Sequence, residues 1–430
     1  MRGPLKKREK FMDEKITEEL TQEVRENKPT SRFLLGMLCG TALMFLFMVS
    51  AYVGKKLYLK FAYGESAVSS EVEEGTDAIT RKMAVVEDTI EKYYLEEADG
   101  KAMLDGVFSG MVDSLEDPYS AYFSQEELEE LMQETEGIYY GIGAYVGIDP
   151  DTQLCLISGV IEGTPAEEAG LMAGDLIYKV EDTITTGMDT SEVVTLIKGE
   201  EFTTVHVTII RDGEDDYLEF DVERRQIETP TVEQEMFEDG IGYIRITEFD
   251  DVTVDQFTEA YAVCKGSDMK GLIIDLRSNP GGSMNAVCDI AEKILPKGLI
   301  VYTEDKYGER MEYGCEGKTP IEVPLVVLVD GYSASASEIL AGAVKDYEIG
   351  TIMGTTTFGK GIVQRVISLS DGSALKLTVS KYFTPNGNDI HGVGIEPDIE
   401  VKYDAEAYKN DGTDNQLEAA KEELKKQIQE

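Results

Sequence analysis

Three serines, Ser333, Ser335 and Ser337, alternate with alanine in GYSASASEIL (331–340), directly after the apolar run PLVVLVD (324–330). A serine oxygen becomes a useful nucleophile only when a base takes its proton. The chain has two histidines, His206 and His391. His206 sits in the alternating run TTVHVTII and reads as a strand residue; His391 lies in the loop NGNDIHGVGIEPD, with no obvious acid to orient it. A Ser-His-Asp triad through His391 is thus weakly supported. The other activator is a lysine whose amine is kept neutral by burial. GTTTFGKGIVQ (354–364) offers Lys360, flanked by Gly359 and Gly361 in an otherwise uncharged stretch. Desolvation there lowers an ammonium pKa. Gln364, four residues on, shares a face with Lys360 in either a strand or a helix and can hold an amine without adding charge. Acyl transfer also needs donors for an oxyanion. LIIDLRSNPGGSM (272–284) ends an apolar run in Gly281-Gly282, where backbone N–H groups can approach a carbonyl oxygen closely.

Each piece has a plainer reading. Ser335 and Glu338 form an S-x-x-E capping box, the usual meaning of a serine before a helix. The apolar flanks argue against a flexible linker. Lys360 alone reads as a surface lysine; a phosphate-binding GxxxxGK[ST] loop does not fit, because Gly361 follows it. Pro280-Gly281-Gly282 alone is a tight turn. Spacing does not choose among the three serines.

The elements that must position these residues alternate in type. Strand-like IGYIRI (241–246), KGLIIDL (270–276) and PLVVLVD (324–330) are interleaved with helical DQFTEAYAVCK (255–265), MNAVCDIAEKIL (284–295) and SEILAGAVKDY (337–347). Buried strands alternating with helices predict an α/β layer with partly parallel strands. SALKLTVSKYFT (373–384) reads as a late strand after the Asp371-Gly372 turn, and DNQLEAAKEELKKQIQE as an amphipathic C-terminal helix. Upstream, from Gly137, lies a compact β-rich module. It includes a short helix, SEVVTLIKGE (191–200), and two strands joined at Asp212-Gly213. Residues 68–136 read helical: Val86 and Ile90 fall at helical spacing, and Ser124 with Glu127 forms a capping box.

The 430 residues carry 84 Asp+Glu against 40 Lys+Arg, a formal net charge of −44. That balance argues against a nucleic-acid partner, which needs clustered cations. Five scattered cysteines, Cys39, Cys155, Cys264, Cys288 and Cys315, lack zinc or redox spacing and read as free thiols. No metal or other cofactor is expected. Residues 33–54, FLLGMLCGTALMFLFMVSAYVG, hold no charge over a length that spans roughly 33 Å as a helix. Basic residues precede them, which predicts a single-pass cell-membrane anchor with residues 1–32 cytoplasmic and the remainder extracytoplasmic. Cleavage near Ala51 is the alternative.

The stretches DLRSNPGG, SASASEILAGAVKDY, GTTTFGKGIVQ and KYFTPNGNDIHGVGIEPDI, taken together, resemble the carboxyl-terminal processing peptidases, or tail-specific proteases. These are Ser/Lys endopeptidases with a PDZ domain, and the resemblance runs from about residue 76 to the C-terminus. It implies Ser335 as nucleophile, Lys360 as base and Gln364 as its orienting partner. It also implies an oxyanion hole from Gly281 or Gly282 with the Ala336 N–H. One departure is Ser278, where the family often has Asn. The resemblance further implies that the β module is a PDZ domain whose loop Gly141-Ile142-Gly143-Ala144 captures polypeptide C-termini. The segments 68–136 and 415–430 resemble segments used for dimerisation in relatives, which suggests a homodimer.

The expected fold class is therefore α/β and β multidomain: an N-terminal transmembrane helix, a helical segment, a PDZ-like module and an α/β protease core related to the crotonase-like ClpP architecture. The expected limits are a cytoplasmic segment (1–32), an anchor (33–54), a linker and helical region (55–136), the PDZ domain (137–226), the protease core (227–405) and a C-terminal helix (406–430). The expected function is a membrane-anchored serine endopeptidase cleaving proteins at or near their C-termini. Its PDZ domain would recruit or gate substrate. The rivals are a catalytically inactive, membrane-tethered PDZ scaffold and a Ser-His hydrolase using His391.

Overall fold

The computed structural model describes residues 70–429, with side chains from residue 78 onward. The described residues fall into two units, divided between Asp99 and Gly100. In the first, the described part holds the helix Ser70–Tyr93.

The second unit is centred on a six-stranded sheet. Its order is Val232–Met236, Ile241–Ile246, Gly271–Asp275, Leu325–Val329, Thr351–Gly354 and Ile399–Glu400. The first pair is antiparallel and every later pair parallel. The period of two decides which layer each side chain joins. Leu272, Ile274, Leu325, Val327 and Val329 belong to the core shared with helices Thr253–Gly266, Met284–Glu292 and Ala336–Asp346. Ile273, Val326 and Leu328 pack with Ala420 and Leu424 of the C-terminal helix Asn415–Gln429. Burial on both faces explains why these strands read as unbroken apolar runs. It also engages the apolar face of the C-terminal helix within the chain.

A second sheet is antiparallel: Ala121–Phe123, Ala374–Phe383, Gly298–Asp305 and Arg310–Cys315 in order, with Ile362–Ser368 also on Ala374–Phe383. The helical reading of 68–136 therefore needs amending. Helices Gly100–Asp113 and Gln125–Glu136 are interrupted by the strand Ala121–Phe123, which pairs with Ala374–Lys376. The first helix ends at Asp113, and Asp117-Pro118 keeps it from resuming, because proline disfavours helix for the residue before it. The capping box at Ser124 is formed and starts the next helix.

The β module stands on a two-stranded stem, Ile138–Gly141 paired with Arg225–Glu228. Its own sheet runs Ala144–Ile148, Cys155–Val160, Leu176–Val180, Thr204–Ile210, Leu218–Glu223, with Thr183–Ile184 beside Leu176–Val180. Val205, Val207 and Ile209 alternate into a core with Ile157, Ile177 and Val193. His206 points the other way and pairs with Asp221 at 2.8 Å. Ala144–Ile148 is an edge strand, beside helix Thr190–Ile197.

The expectation of a membrane-spanning helix, and with it a single-pass cell-membrane location, is corrected. No helix among the described residues is long and apolar enough to cross a membrane. Ser70–Tyr93 has the length, 24 residues, but charged side chains recur along it, which a bilayer core penalises. Residues 33–54 lie outside the described residues. The architecture is a mixed α/β multidomain chain.

Candidate active site

Strand Leu325–Val329 ends at the carboxyl edge of the parallel sheet, and the chain turns sharply into helix Ala336–Asp346. Ser335 occupies the turn with φ 52° and ψ −112°, outside the regions a serine ordinarily adopts. Such a conformation costs roughly 1–3 kcal/mol and persists only where neighbours enforce it. Glu338 supplies much of that enforcement. Its buried carboxylate accepts the Ser335 N–H at 2.9 Å, the Lys360 N–H at 2.8 Å, the Gly359 N–H at 2.7 Å and the Thr357 hydroxyl at 2.6 Å. One carboxylate thus ties the serine turn to the FGKG loop. The Tyr382 hydroxyl adds a bond to the Ser335 carbonyl at 3.0 Å.

The structure separates the three serines. Ser333 is buried, donates to the Leu276 carbonyl at 2.8 Å and accepts the Asp330 N–H at 2.9 Å. Ser337 is buried and donates to the Asn279 carbonyl at 3.1 Å. Ser335 is half-buried, its hydroxyl makes no cap hydrogen bond, and it lines a cavity of about 430 Å³. Lys360, Gln364, Gly282 and Ala336 line the same cavity.

Burial is the leading cause that lowers the Lys360 pKa, followed by the charge of Lys376; Asp117 and Glu338 pull the other way. The direction is the one a lysine base needs. Its Nζ sits over the Tyr119 ring, 4.5 Å from the centroid. Gln364 donates through Nε2 to Thr378 Oγ1 at 3.2 Å. No hydrogen bond joins Lys360 Nζ to Ser335 or to Gln364 among the described residues. The three are gathered but not engaged.

The sequence reading missed the floor beneath the lysine. Asp117, Tyr119 and Ser120 come from the turn before strand Ala121–Phe123. Burial pushes the Asp117 carboxyl up. Hydrogen bonds with Ser120, Thr378 and the Tyr119 N–H, and the Lys360 charge, outweigh that and hold it below its usual range. Only the pairing of Ala121–Phe123 with Ala374–Lys376 brings this segment under Lys360, and no local signal announces it. Glu338 was legible as a cap residue but not as a clamp.

The glycine turn lies against the serine turn. A Cβ on Gly281 (φ 109°) would stand 2.7 Å from Ser335 Cβ and 2.9 Å from Ala336 N. One on Gly282 (φ 136°) would stand 2.3 Å from the Phe249 carbonyl oxygen. Both sites therefore demand glycine. The two differ in available donors. Gly281 is buried and gives its N–H to Asn279 Oδ1 at 2.8 Å, whereas Gly282 is exposed. Among the described residues neither the Gly282 nor the Ala336 N–H has a partner. Gly281→Ala is expected to cost about 1–3 kcal/mol of stability. By displacing Ser335 it should also lower kcat on the order of 10²-fold. Thermal unfolding and reporter-peptide turnover measure the two.

The histidines do not join the site. His206 lies in the β module, and His391 is exposed and outside the cavity lining. His391 instead supports the FGKG loop through its backbone, which a Cβ on Gly361 would meet at 2.7 Å.

In the β module the Ile142 carbonyl accepts the Ala166 N–H at 2.8 Å, and the Gly143 carbonyl accepts the Ile161 N–H at 3.0 Å. A trans peptide points its C=O and N–H in opposite directions. The Gly143 and Ala144 N–H groups are therefore directed away from those contacts, at the start of the open edge strand.

Residues 240–401 match the family model described as Peptidase family S41, residues 156–211 that of a PDZ domain, and residues 37–127 that of the activating protease CtpB N-terminal domain. The carboxy-terminal processing protease CtpA of Bacillus subtilis (strain 168) is 34% identical over 395 residues, covering 89% of this chain and 84% of that protein. CtpB of the same organism is 33% identical over 338 residues, covering 78% and 70%. The carboxy-terminal-processing protease of Bartonella bacilliformis is 33% identical over 345 residues, covering 78% of each.

Proposed function

Because the chain belongs to peptidase family S41, as a carboxy-terminal processing serine protease with a PDZ domain, we propose that Ser335 is its nucleophile and Lys360 its general base. Ser335 Oγ attacks the scissile carbonyl while the neutral Lys360 amine takes its proton. The resulting oxyanion is met by the Gly282 and Ala336 N–H groups. Lys360 then hands the proton to the leaving amine, and a water molecule, deprotonated in turn by Lys360, releases the acyl group. Gln364 orients Lys360 once the amine leaves the Tyr119 ring. Hydrogen bonds of this kind are often unformed before substrate is bound.

The observation that carries this reading is the separation of the serines. Two hydroxyls are committed to buried backbone groups, while Ser335 faces a cavity shared with a desolvated lysine. The PDZ domain recruits the substrate's C-terminus. In this reading the Gly141–Ala144 loop receives the carboxylate, and the edge strand Ala144–Ile148 adds the peptide as a further strand. The intact arrangement around Ser335 disfavours an inactive scaffold.

A fluorophosphonate probe tests the nucleophile. Its phosphorus forms a bond to the serine oxygen as fluoride leaves. Mass spectrometry of the digested chain, with fragment ions that resolve the three serines on their shared peptide, is expected to place the adduct on Ser335. Labelling at Ser333 or Ser337, or none at all, contradicts the assignment.

A further inference from the structure

The cavity that holds Ser335 and Lys360 has two electrostatic poles. Lys360 and Lys376 stand at one, beside Asp117 and Glu338. The other wall carries Glu134, from helix Gln125–Glu136, and Glu248 and Asp250, from the loop after strand Ile241–Ile246. Backbone bonds from Asp251 to the Thr135 carbonyl (3.1 Å) and from Val252 to the Glu136 carbonyl (3.4 Å) hold the two segments together.

Asp250 is the unusual member. It is 6% exposed, yet its carboxylate has neither a hydrogen bond nor an ion pair among the described residues, and it lines the cavity. The helix Thr253–Gly266 has Val252 at its N-cap with no side-chain bond, and only the Asp250 backbone takes part. Burial first, and then the charges of Glu248, Asp251 and Glu134, push the Asp250 carboxyl up to about 7. Desolvation and then Glu134 raise Glu248 as well. No cation opposes either shift. The unbonded Asp250 oxygens therefore open onto the cavity, and a largely desolvated carboxylate with like charges beside it is costly unless something in that cavity supplies a cation. The C-terminal end of helix Gln125–Glu136 adds its own negative pole. Leu131 and Met132, on the same helix and lining the same cavity, give an apolar flank. Carboxylates beyond an apolar flank match a side chain with an aliphatic stem and a cationic head.

We propose that Glu134, Glu248 and Asp250 form a specificity subsite that takes a lysine or arginine side chain of the substrate near the bond to be cut. The subsite is continuous with the serine turn, since Phe249, next to Asp250, pairs with Gly282 in a β-bridge. It rests on the reading that substrate occupies this cavity, and the test keeps the two apart.

The probe is a fluorescein-labelled, alanine-rich peptide with a free apolar C-terminus, scanned with lysine or norleucine at one position at a time. Anisotropy measures its affinity for the full Ser335→Ala chain, where no cleavage intervenes. At one position or two adjacent ones, lysine is expected to bind about tenfold tighter than norleucine at low salt. The ratio should shrink as salt screens it. It should fall below about twofold when Asp250→Asn and Glu248→Gln are added. The exposed Glu134→Gln gives a milder version should the double variant not fold, and the salt titration needs no further substitution. A ratio near one at every position, or a lysine preference that survives these substitutions, overturns the subsite. Cleavage of the parent peptide by the native chain, compared with Ser335→Ala, tests the Ser335 assignment separately, so either idea can fail while the other stands.

Discussion

Ser335→Ala is expected to abolish processing, with kcat falling on the order of 10⁴–10⁶-fold. The variant removes one hydroxyl that carries no cap bond, and alanine fits a site that is already half-open, so the fold should keep its stability. Ser333→Ala and Ser337→Ala should show the opposite pattern. Each removes a buried hydroxyl bonded to a backbone carbonyl, of Leu276 or Asn279, and should cost about 1–3 kcal/mol while turnover persists in the folded fraction. Turnover of a reporter peptide and thermal unfolding, measured on all three variants, separate a nucleophile from packing residues. Appreciable turnover by Ser335→Ala would sink the mechanism.

Lys360→Met and Lys360→Arg carry the second large effect. Methionine keeps the length without an amine, and arginine keeps the charge but cannot give up its proton near neutral pH. Both should lower kcat on the order of 10²–10⁴-fold, the range general-base catalysis supplies. In the proposed mechanism, activity of the native chain requires the neutral amine. Its rate should therefore rise with pH through a midpoint below 10.5, the ordinary lysine value, because burial and Lys376 depress it. That limb should vanish in Lys360→Arg. Stability moves with it. The depressed folded-state pKa means that, between it and the unfolded value of 10.5, the unfolded chain binds more protons and stability rises with pH. Below the folded-state pKa the charged amine is buried at full cost. Lys360→Met should therefore raise the unfolding temperature at neutral pH, and the gain should fade toward pH 10.5. A rate that begins to climb only at pH 10 or above, or a destabilised Lys360→Met, contradicts a desolvated base.

The sequence by itself determined the strands and the candidates. Unbroken apolar runs at 270–276 and 324–330 announced strands buried on both faces, because a parallel sheet leaves no polar side to alternate with. The alternation around His206 placed that residue on the outer face of a β module and so away from the chemistry. Ser335, Lys360 and the glycine pair were visible as residue types on their own turns, and Gln364 by its spacing from Lys360; the combination of motifs carried the family.

What the tertiary structure decided depends on chain segments far apart in sequence. The proposed choice among three serines rests on the carbonyls of Leu276 and Asn279, more than 50 positions away, which hold Ser333 and Ser337. The preference for Gly282 over Gly281 rests on one bond that the Gly281 N–H donates to the Asn279 side chain. The floor under Lys360 arrives through a three-residue strand too short to carry a pattern of its own, recruited by pairing with Ala374–Lys376. The acid wall joins residues 134 and 250, whose meeting depends on how a helix end docks on a loop. Local sequence fixes propensity and the face a side chain takes; which distant groups come to share a desolvated cavity is set by packing.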